Sequence, residues 1–157
     1  MEEVTIVGLD LAKHVFQVHG ARADGSVAFR RKLPRSKVLS FFAAQPRCRA
    51  AMEACASSHY WAREMGALGH DVKLIAPAYV KPFVKRQKND AADAEAIAEA
   101  ASRPTMRFVA VRSTEKQSSG MTFKTRDLLV RQKTQAINAM RGHLAEHGVL
   151  APQARHT

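Results

Sequence analysis

The sequence predicts a mixed α/β domain, in which an antiparallel meander is extended by parallel crossover units, followed by a long amphipathic helix. Three observations predict it. The strand-like runs "VTIVGLDLA", "HVFQVHG" and "VAFRRKL" lie too close together along the chain for helical crossovers between them, so they pair antiparallel. After them the pattern reads helix, strand, helix, strand, helix, the order of parallel crossover units. From Ser113 onward Phe123, Val130, Ile137 and Leu144 recur every seven residues, the mark of a helix with a pairing seam.

Taken in order, the first strand passes to the second through the short connection "LAK", and Asp24-Gly25 supplies the turn before the third, where Val27 and Phe29 alternate with smaller or polar residues. Pro34 precedes a helix around Ser36 to Ala44. "RAAMEA" is a short strand ending at Glu53. Ser57 or Ser58 is placed to cap a helix running through Trp61 and Met65, both core candidates, to Leu68, where Gly69 stops it. "DVKLIAP" is a further strand. The run "QKNDAADAEAIAEA" is helical with Asn89 as its N-cap. Leu129, Ala136 and Met140 join the seam of the long helix, which Gly120 is expected to interrupt near its start and Gly148 to close. The expected organisation is a domain over residues 1–112, a coiled-coil-type helix over 113–148 and a tail over 149–157. Such a helix calls for a partner, and a homodimer or higher oligomer is expected.

Composition narrows the partners. Against 14 Asp and Glu stand 25 Lys and Arg, for a formal net charge of +11, and the pI is near 10.3. That balance points to a polyanion, with nucleic acid the default. No apolar stretch reaches the roughly 18 residues of a membrane span, and "MEEVTIVGLDLAK" has neither the basic region nor the cleavage site of a signal peptide, so no membrane partner and a cytoplasmic location are expected. Cys48 and Cys55 are too few for a disulfide framework and are not spaced as a metal pair. They are read as reduced and structural.

Four acids stand out in so basic a chain. Asp10 ends the first strand and Glu53 the fourth, and a carboxylate in an apolar strand is unfavourable unless paired. Lys13 and Arg49, the nearest basic residues, are possible salt-bridge partners. Asp90 and Asp93 flank the helix side that carries Ala94, Ile97 and Ala101, while Glu95 and Glu99 point the opposite way as solvated charges. Acids in a first turn also interact favourably with the helix dipole, so the aspartates have a purely structural reading as well. If the strands of Asp10 and Glu53 are neighbours and the helix crosses their ends, four carboxylates converge. Like charges about 4 Å apart repel by roughly 4 kcal/mol at an effective dielectric of about 20. Divalent cations with oxygen-ligand chemistry, one or two Mg²⁺ (or Mn²⁺) ions, relieve that repulsion.

The order Asp10, Glu53, Asp90, Asp93 resembles the DEDD set of RuvC-like, RNase H-fold nucleases, and specifically the transposases of insertion-sequence family 110 and the related Piv-type DNA invertases. Three stretches carry the resemblance: "VGLDLAKHVFQV", "MEACASSHYWAREMGALGHDVKLIAP" and "VKPFVKRQKNDAADAEAIAEAA". "TRDLLVRQKTQAINAMRGHLAEHG" is similar to that family's coiled-coil segment. The resemblance implies an RNase H-like (RuvC-like) mixed sheet flanked by helices. It implies catalytic and metal-binding roles for the four acids, DNA phosphodiesters as substrate, a nucleoid-associated setting, and a structured guide RNA as a further partner. "KQSSGMTFK" departs from the family's helix, and the family continues into a second catalytic domain with a serine nucleophile. That role is not carried onto Ser57, Ser58, Ser118 or Ser119. The expectation is an N-terminal catalytic, metal-binding domain without its covalent nucleophile.

Lys81, Lys85, Arg86 and Lys88 lead straight into the acidic helix, interleaved with Tyr79 and Phe83. With Lys13 they are candidates for phosphate contacts. Lys124, Arg126, Arg131, Lys133 and Arg141 form a second basic surface on the long helix, which by resemblance touches guide RNA as well as DNA. His143 and His147 have metal-compatible spacing but no third ligand nearby. Two other functions compete: a non-catalytic nucleic-acid-binding and dimerising module, and a RuvC-like structure-specific nuclease. An actin-like ATPase is disfavoured because "GLDLAK" lacks a phosphate loop.

Overall fold

The structure is a computed structural model that describes residues 4–84 and 90–152. The chain divides into two compact units, Met1–Ser113 and Thr114–Thr157.

In the first unit, β1 (Val4–Asp10), β2 (Val15–Arg22) and β3 (Val27–Pro34) form the meander. Leu9 pairs with Val18 and Asp10 with Gln17 across β1 and β2, while Gln17 pairs with Lys32 across β2 and β3. The β2–β3 turn is the one that Asp24-Gly25 predicts. Gly25 sits at φ +83°, where a Cβ is disfavoured, and the Ser26 N–H donates to Asp24 Oδ1 at 2.9 Å.

A 3₁₀ turn over Arg35–Lys37 leads into α1 (Val38–Ala43), so the regular helix is shorter than the Ser36–Ala44 expected. β4 (Arg49–Glu53) and β5 (Asp71–Ile75) lie parallel to β1 and to each other, separated by α2 (Ser58–Ala67). A four-residue α3 (Pro77–Val80) follows, then α4 (Asp90–Ser102) and a two-residue β6 (Phe108–Val109) antiparallel to β5. α3 and β6 are too short to leave a periodic signature. The sheet order is β3-β2-β1-β4-β5-β6. A meander whose first strand is extended on its other side by two successive parallel crossover strands is the RNase H-like, RuvC-like arrangement.

Both sheet faces are covered, as a sheet with parallel central strands requires. On one face Val7, Leu9, Phe16, Val18, Ala50 and Met52 pack with Val38 and Phe42 of α1 and Trp61 and Met65 of α2. Phe16 and Trp61 meet edge to face with centroids 5.1 Å apart. On the other face Ala51 and Ile75 pack with Val80 and with Ala96, Ile97, Ala100 and Ala101 of α4. Alanines let α4 approach closely, and Gly8 of β1 lies directly beneath Ala94 and Ala98.

Cys48 and His70 are both buried. The Cys48 N–H donates to His70 Nδ1 at 3.3 Å, and Nε2 lies 3.0 Å from the Phe42 carbonyl, so a neutral ring carrying its proton on Nε2 satisfies both. Burial pushes the Cys48 thiol up to about 11.

The capping expectation at α2 is corrected. Ser57 adopts the left-handed region at φ +73° and makes no side-chain cap, whereas the Ser58 hydroxyl donates back to the Cys55 carbonyl at 2.8 Å. Gly69, at φ +93°, follows the end of α2 as expected.

In the second unit α5 (Thr114–Glu146) runs unbroken through Gly120, contrary to expectation. One glycine costs only about 1 kcal/mol relative to alanine, and propagation across a helix this long absorbs it. No residue of α5 is buried. Phe123, Leu129, Val130, Met140 and Leu144 of its seam are exposed. Among the described residues no helix is long and apolar enough to cross a membrane.

Candidate active site

Strand register decides where the first two acids meet. Leu9 of β1 pairs with Met52 of β4 in parallel, so the next residues, Asp10 and Glu53, stand side by side at the carboxyl ends of neighbouring strands. They also share a face. Leu9 and Met52 point into the cluster under α1 and α2, whereas Gly8 and Ala51 lie against α4. Alternation along a strand therefore turns Asp10 and Glu53 toward α4.

The direction of α4 follows from one hydrogen bond. Arg49 opens β4 and its Nη1 donates to the Ala101 carbonyl at 3.3 Å, near the end of α4. The amino-terminal end of α4 therefore lies toward the carboxyl ends of β1 and β4. Asp93 is half-buried there, one turn before Ile97, which packs against Ala51 and Ile75. Asp90 is the first residue of α4; its side chain lies outside the described residues.

The exposed thiol of Cys55 lies two residues beyond Glu53. Burial raises its pKa, and the charges of Glu53 and Asp10 raise it further. Both carboxylates are thus close enough to one sulfur to oppose its ionisation. Arg49 does not neutralise Glu53. It stands at the other end of β4 and pairs with Asp71 at 3.1 Å. Glu95 and Glu99 are also more engaged than solvated charges: Glu95 accepts from Arg30 at 2.7 Å and Glu99 from Arg103 at 2.8 Å. Among the described residues no group of three His, Cys, Asp or Glu side chains is gathered closely enough to hold a metal ion. Asp90 falls outside that statement. Asp10, Glu53 and Asp93 each carry carboxylate oxygens, the donor type that Mg²⁺ and Mn²⁺ prefer.

Of the basic residues expected at the site, Lys13 is exposed just after β1 and Lys81 just after α3. Lys85, Arg86 and Lys88 lie outside the described residues. Tyr79 and Phe83, which interleave with them in sequence, line a cavity of about 710 Å³ together with Pro82, Arg103, Met106 and Arg107. The Arg103 guanidinium lies 5.5 Å over the Phe83 ring. Arg103 and Arg107 carry no sequence signal, because they meet the aromatics only once the segment after α3 folds against the end of α4. On α5, Lys124, Arg126, Arg131 and Lys133 are exposed, while Arg141 is half-buried and donates to the Pro152 carbonyl at 3.0 Å.

Comparison with known proteins places this chain in a family. The family model for the DEDD transposases of IS110, described as a transposase, matches residues 7–148. The chain belongs to the IS110 family of DEDD transposases. Over 145 residues it is 55% identical to the "Probable family 20 transposase" of Pseudomonas aeruginosa, covering 92% of this chain and 43% of that protein. The transposase for insertion sequence element IS1328 of Yersinia enterocolitica is 44% identical over 153 residues, 98% of this chain and 46% of its own length. The transposase for IS1111A of Coxiella burnetii is 42% identical over 149 residues, with 95% and 41% covered. This IS110-family chain thus spans less than half the length of these curated relatives. Among solved structures, T. thermophilus RuvC in complex with Holliday junction substrate aligns with a TM-score of 0.48 and 12% identity, covering 68% of this chain and 100% of that one. The fold assignment rests on the strand order itself.

Proposed function

We propose that this chain is the metal-dependent catalytic domain of a DEDD transposase acting on DNA phosphodiesters. One observation carries the reading: Asp10 and Glu53 end neighbouring parallel strands on the face turned toward the amino-terminal end of α4, the helix of Asp90 and Asp93. Membership of the IS110 family supports it. Asp10, Glu53, Asp90 and Asp93 would hold one or two Mg²⁺ or Mn²⁺ ions. When bound, such ions stabilise charge on the attacking and leaving oxygens of a phosphodiester displacement. The protein's part is positioning: β1 and β4 hold two carboxylates through backbone hydrogen bonds, and the packing of Ile97 holds the turn of Asp93.

In this reading residues 1–112 form the catalytic domain, and Lys13, Lys81, Lys85, Arg86 and Lys88 draw the DNA backbone toward the carboxylates. Residues 113–148 form a coiled coil that makes a homodimer or higher oligomer through the exposed seam of α5, and residues 149–157 are a tail. Lys124, Arg126, Arg131, Lys133 and Arg141 contact DNA and a structured guide RNA. The protein works in the cytoplasm at the nucleoid.

Asp10→Ala or Asp93→Ala in a full-length transposase carrying this domain is expected to abolish strand cleavage while nucleic-acid affinity survives; retained cleavage overturns the reading. A second reading, a non-catalytic nucleic-acid-binding module, is favoured by the lack of a three-donor group among the described residues. It requires identical melting of the wild type in EDTA, Mg²⁺ and Mn²⁺ with bound oligonucleotide, and no change in that behaviour in Asp10→Asn.

A further inference from the structure

We infer that Lys32 and Gln17 grip the backbone of the DNA strand that enters the site, within a few nucleotides of the bond that is cut. This rests on the carboxylate site proposed above and adds its phosphate-binding half. Gln17 pairs with Asp10 in one direction and with Lys32 in the other. Directly opposed residues of antiparallel strands share a face, so Glu53, Asp10, Gln17 and Lys32 form one row across four neighbouring strands. Arg30 confirms the face for β3: two residues before Lys32, it bonds Glu95 of α4, while Phe29 and Leu33 alternate into the opposite cluster. At a strand spacing of about 4.8 Å, the Cα of Lys32 lies roughly 10 Å from that of Asp10.

The chemistry of the row suits a phosphodiester backbone. Residues 25–52 contain seven Lys or Arg and no Asp or Glu, so Lys32 has no local acid to neutralise it. Among the described residues Arg30 and Arg49 find carboxylates at a distance, in Glu95 and Asp71. No described carboxylate pairs with Lys32, which is exposed. Gln17, on the same face beside Asp10, is 9% exposed. An amide set between the Asp10 carboxylate and the Lys32 ammonium can donate its N–H to a phosphate oxygen held by the lysine. The plain alternative is that Lys32 only guards the exposed edge of the sheet, since β3 is an edge strand. Arg31 separates the two. It is equally exposed on the same strand but lies on the opposite face, 5.5 Å over the Phe29 ring.

The experiment is fluorescence anisotropy of labelled single-stranded DNA, and RNA of the same sequence, binding the whole chain at several salt concentrations, with EDTA or Mg²⁺. Lys32→Gln is expected to lower the slope of log affinity against log salt by about 0.7 on DNA, the value of one phosphate on a single strand. Arg31→Gln keeps the parental slope. Gln17→Met keeps the slope and weakens DNA binding by roughly two- to tenfold, as loss of a neutral hydrogen bond does. A parental slope in Lys32→Gln, an equal drop in Arg31→Gln, or an effect confined to RNA overturns the inference. Asp10→Asn tests the underlying site separately. If Mg²⁺ leaves the affinity of the parent and of Asp10→Asn alike while the Lys32 slope still falls, the carboxylate reading fails and the anion-binding row stands.

Discussion

Adding one methyl group at Gly8 tests the contact that ties α4 to the carboxylate end of the sheet. In Gly8→Ala the new Cβ falls against the Ala94 carbonyl oxygen, 2.8 Å from the Ala98 nitrogen and 2.9 Å from its Cβ. Ordinary carbon contacts are about 3.5–4.0 Å, so α4 has to retreat by about 1 Å. No rotamer change relieves the clash, because the opposing atoms are helix backbone and an alanine methyl. Overpacking of this kind costs about 1–3 kcal/mol. At about 2–4 °C per kcal/mol for a chain of this size, the midpoint of thermal unfolding should fall by about 2–12 °C. The same retreat moves the turn of Asp90 and Asp93 away from Asp10 and Glu53, and a misplacement of about 1 Å at a catalytic group reduces rate by about 10²-fold. Circular dichroism melting of this chain and strand cleavage by a full-length transposase with the same substitution measure both. An unchanged melting midpoint would refute the packing of α4 on β1. A lowered midpoint with parental cleavage would refute the dependence of the chemistry on α4.

Two further outcomes check the electrostatics. Glu53 and Asp10 oppose ionisation of the Cys55 thiol, so Glu53→Gln and Asp10→Asn should each speed its alkylation by iodoacetamide at neutral pH, with Cys48 silent because it is buried; equal rates in all three proteins would place the carboxylates away from that sulfur. A hydrogen bond from Lys73, with Arg49 beside it, holds the Asp71 carboxyl below its ordinary value of 3.8. The folded-state pKa is the lower one, so this contribution is complete above the ordinary value and is lost as pH falls below it. Asp71→Asn should therefore flatten the acid limb of the melting profile, by no more than about 1 kcal/mol for so exposed a pair, and an acid limb identical to the parent's would refute the assignment.

The elements that were legible are those whose signal is local. The apolar run ending at Asp10, the Asp24-Gly25 turn and the helix around Trp61 and Met65 each announce themselves within a few residues, and their side chains occupy the faces that periodicity assigns. α3 and β6 left no trace, being shorter than the periods that would reveal them. Ser57 was misread because Ser at a helix start signals a cap, while the actual backbone there is left-handed. The pairing of Arg49 with Glu53, one of the readings that the sequence leaves open, fails for a different reason. Arg49 is near Glu53 in sequence but at the opposite end of a five-residue strand, where chain proximity and spatial proximity part.

Local chemistry along the chain decides which residues face inward, which carry charge, and that carboxylates end two apolar strands. Backbone geometry imposes those periods on each segment independently of the rest. Which strands become neighbours is another matter. That β1 lies between β2 and β4, and that α4 runs back toward the ends of β1 and β4, are properties of long-range pairing. They depend on bringing together segments tens of residues apart, and no local pattern encodes that register.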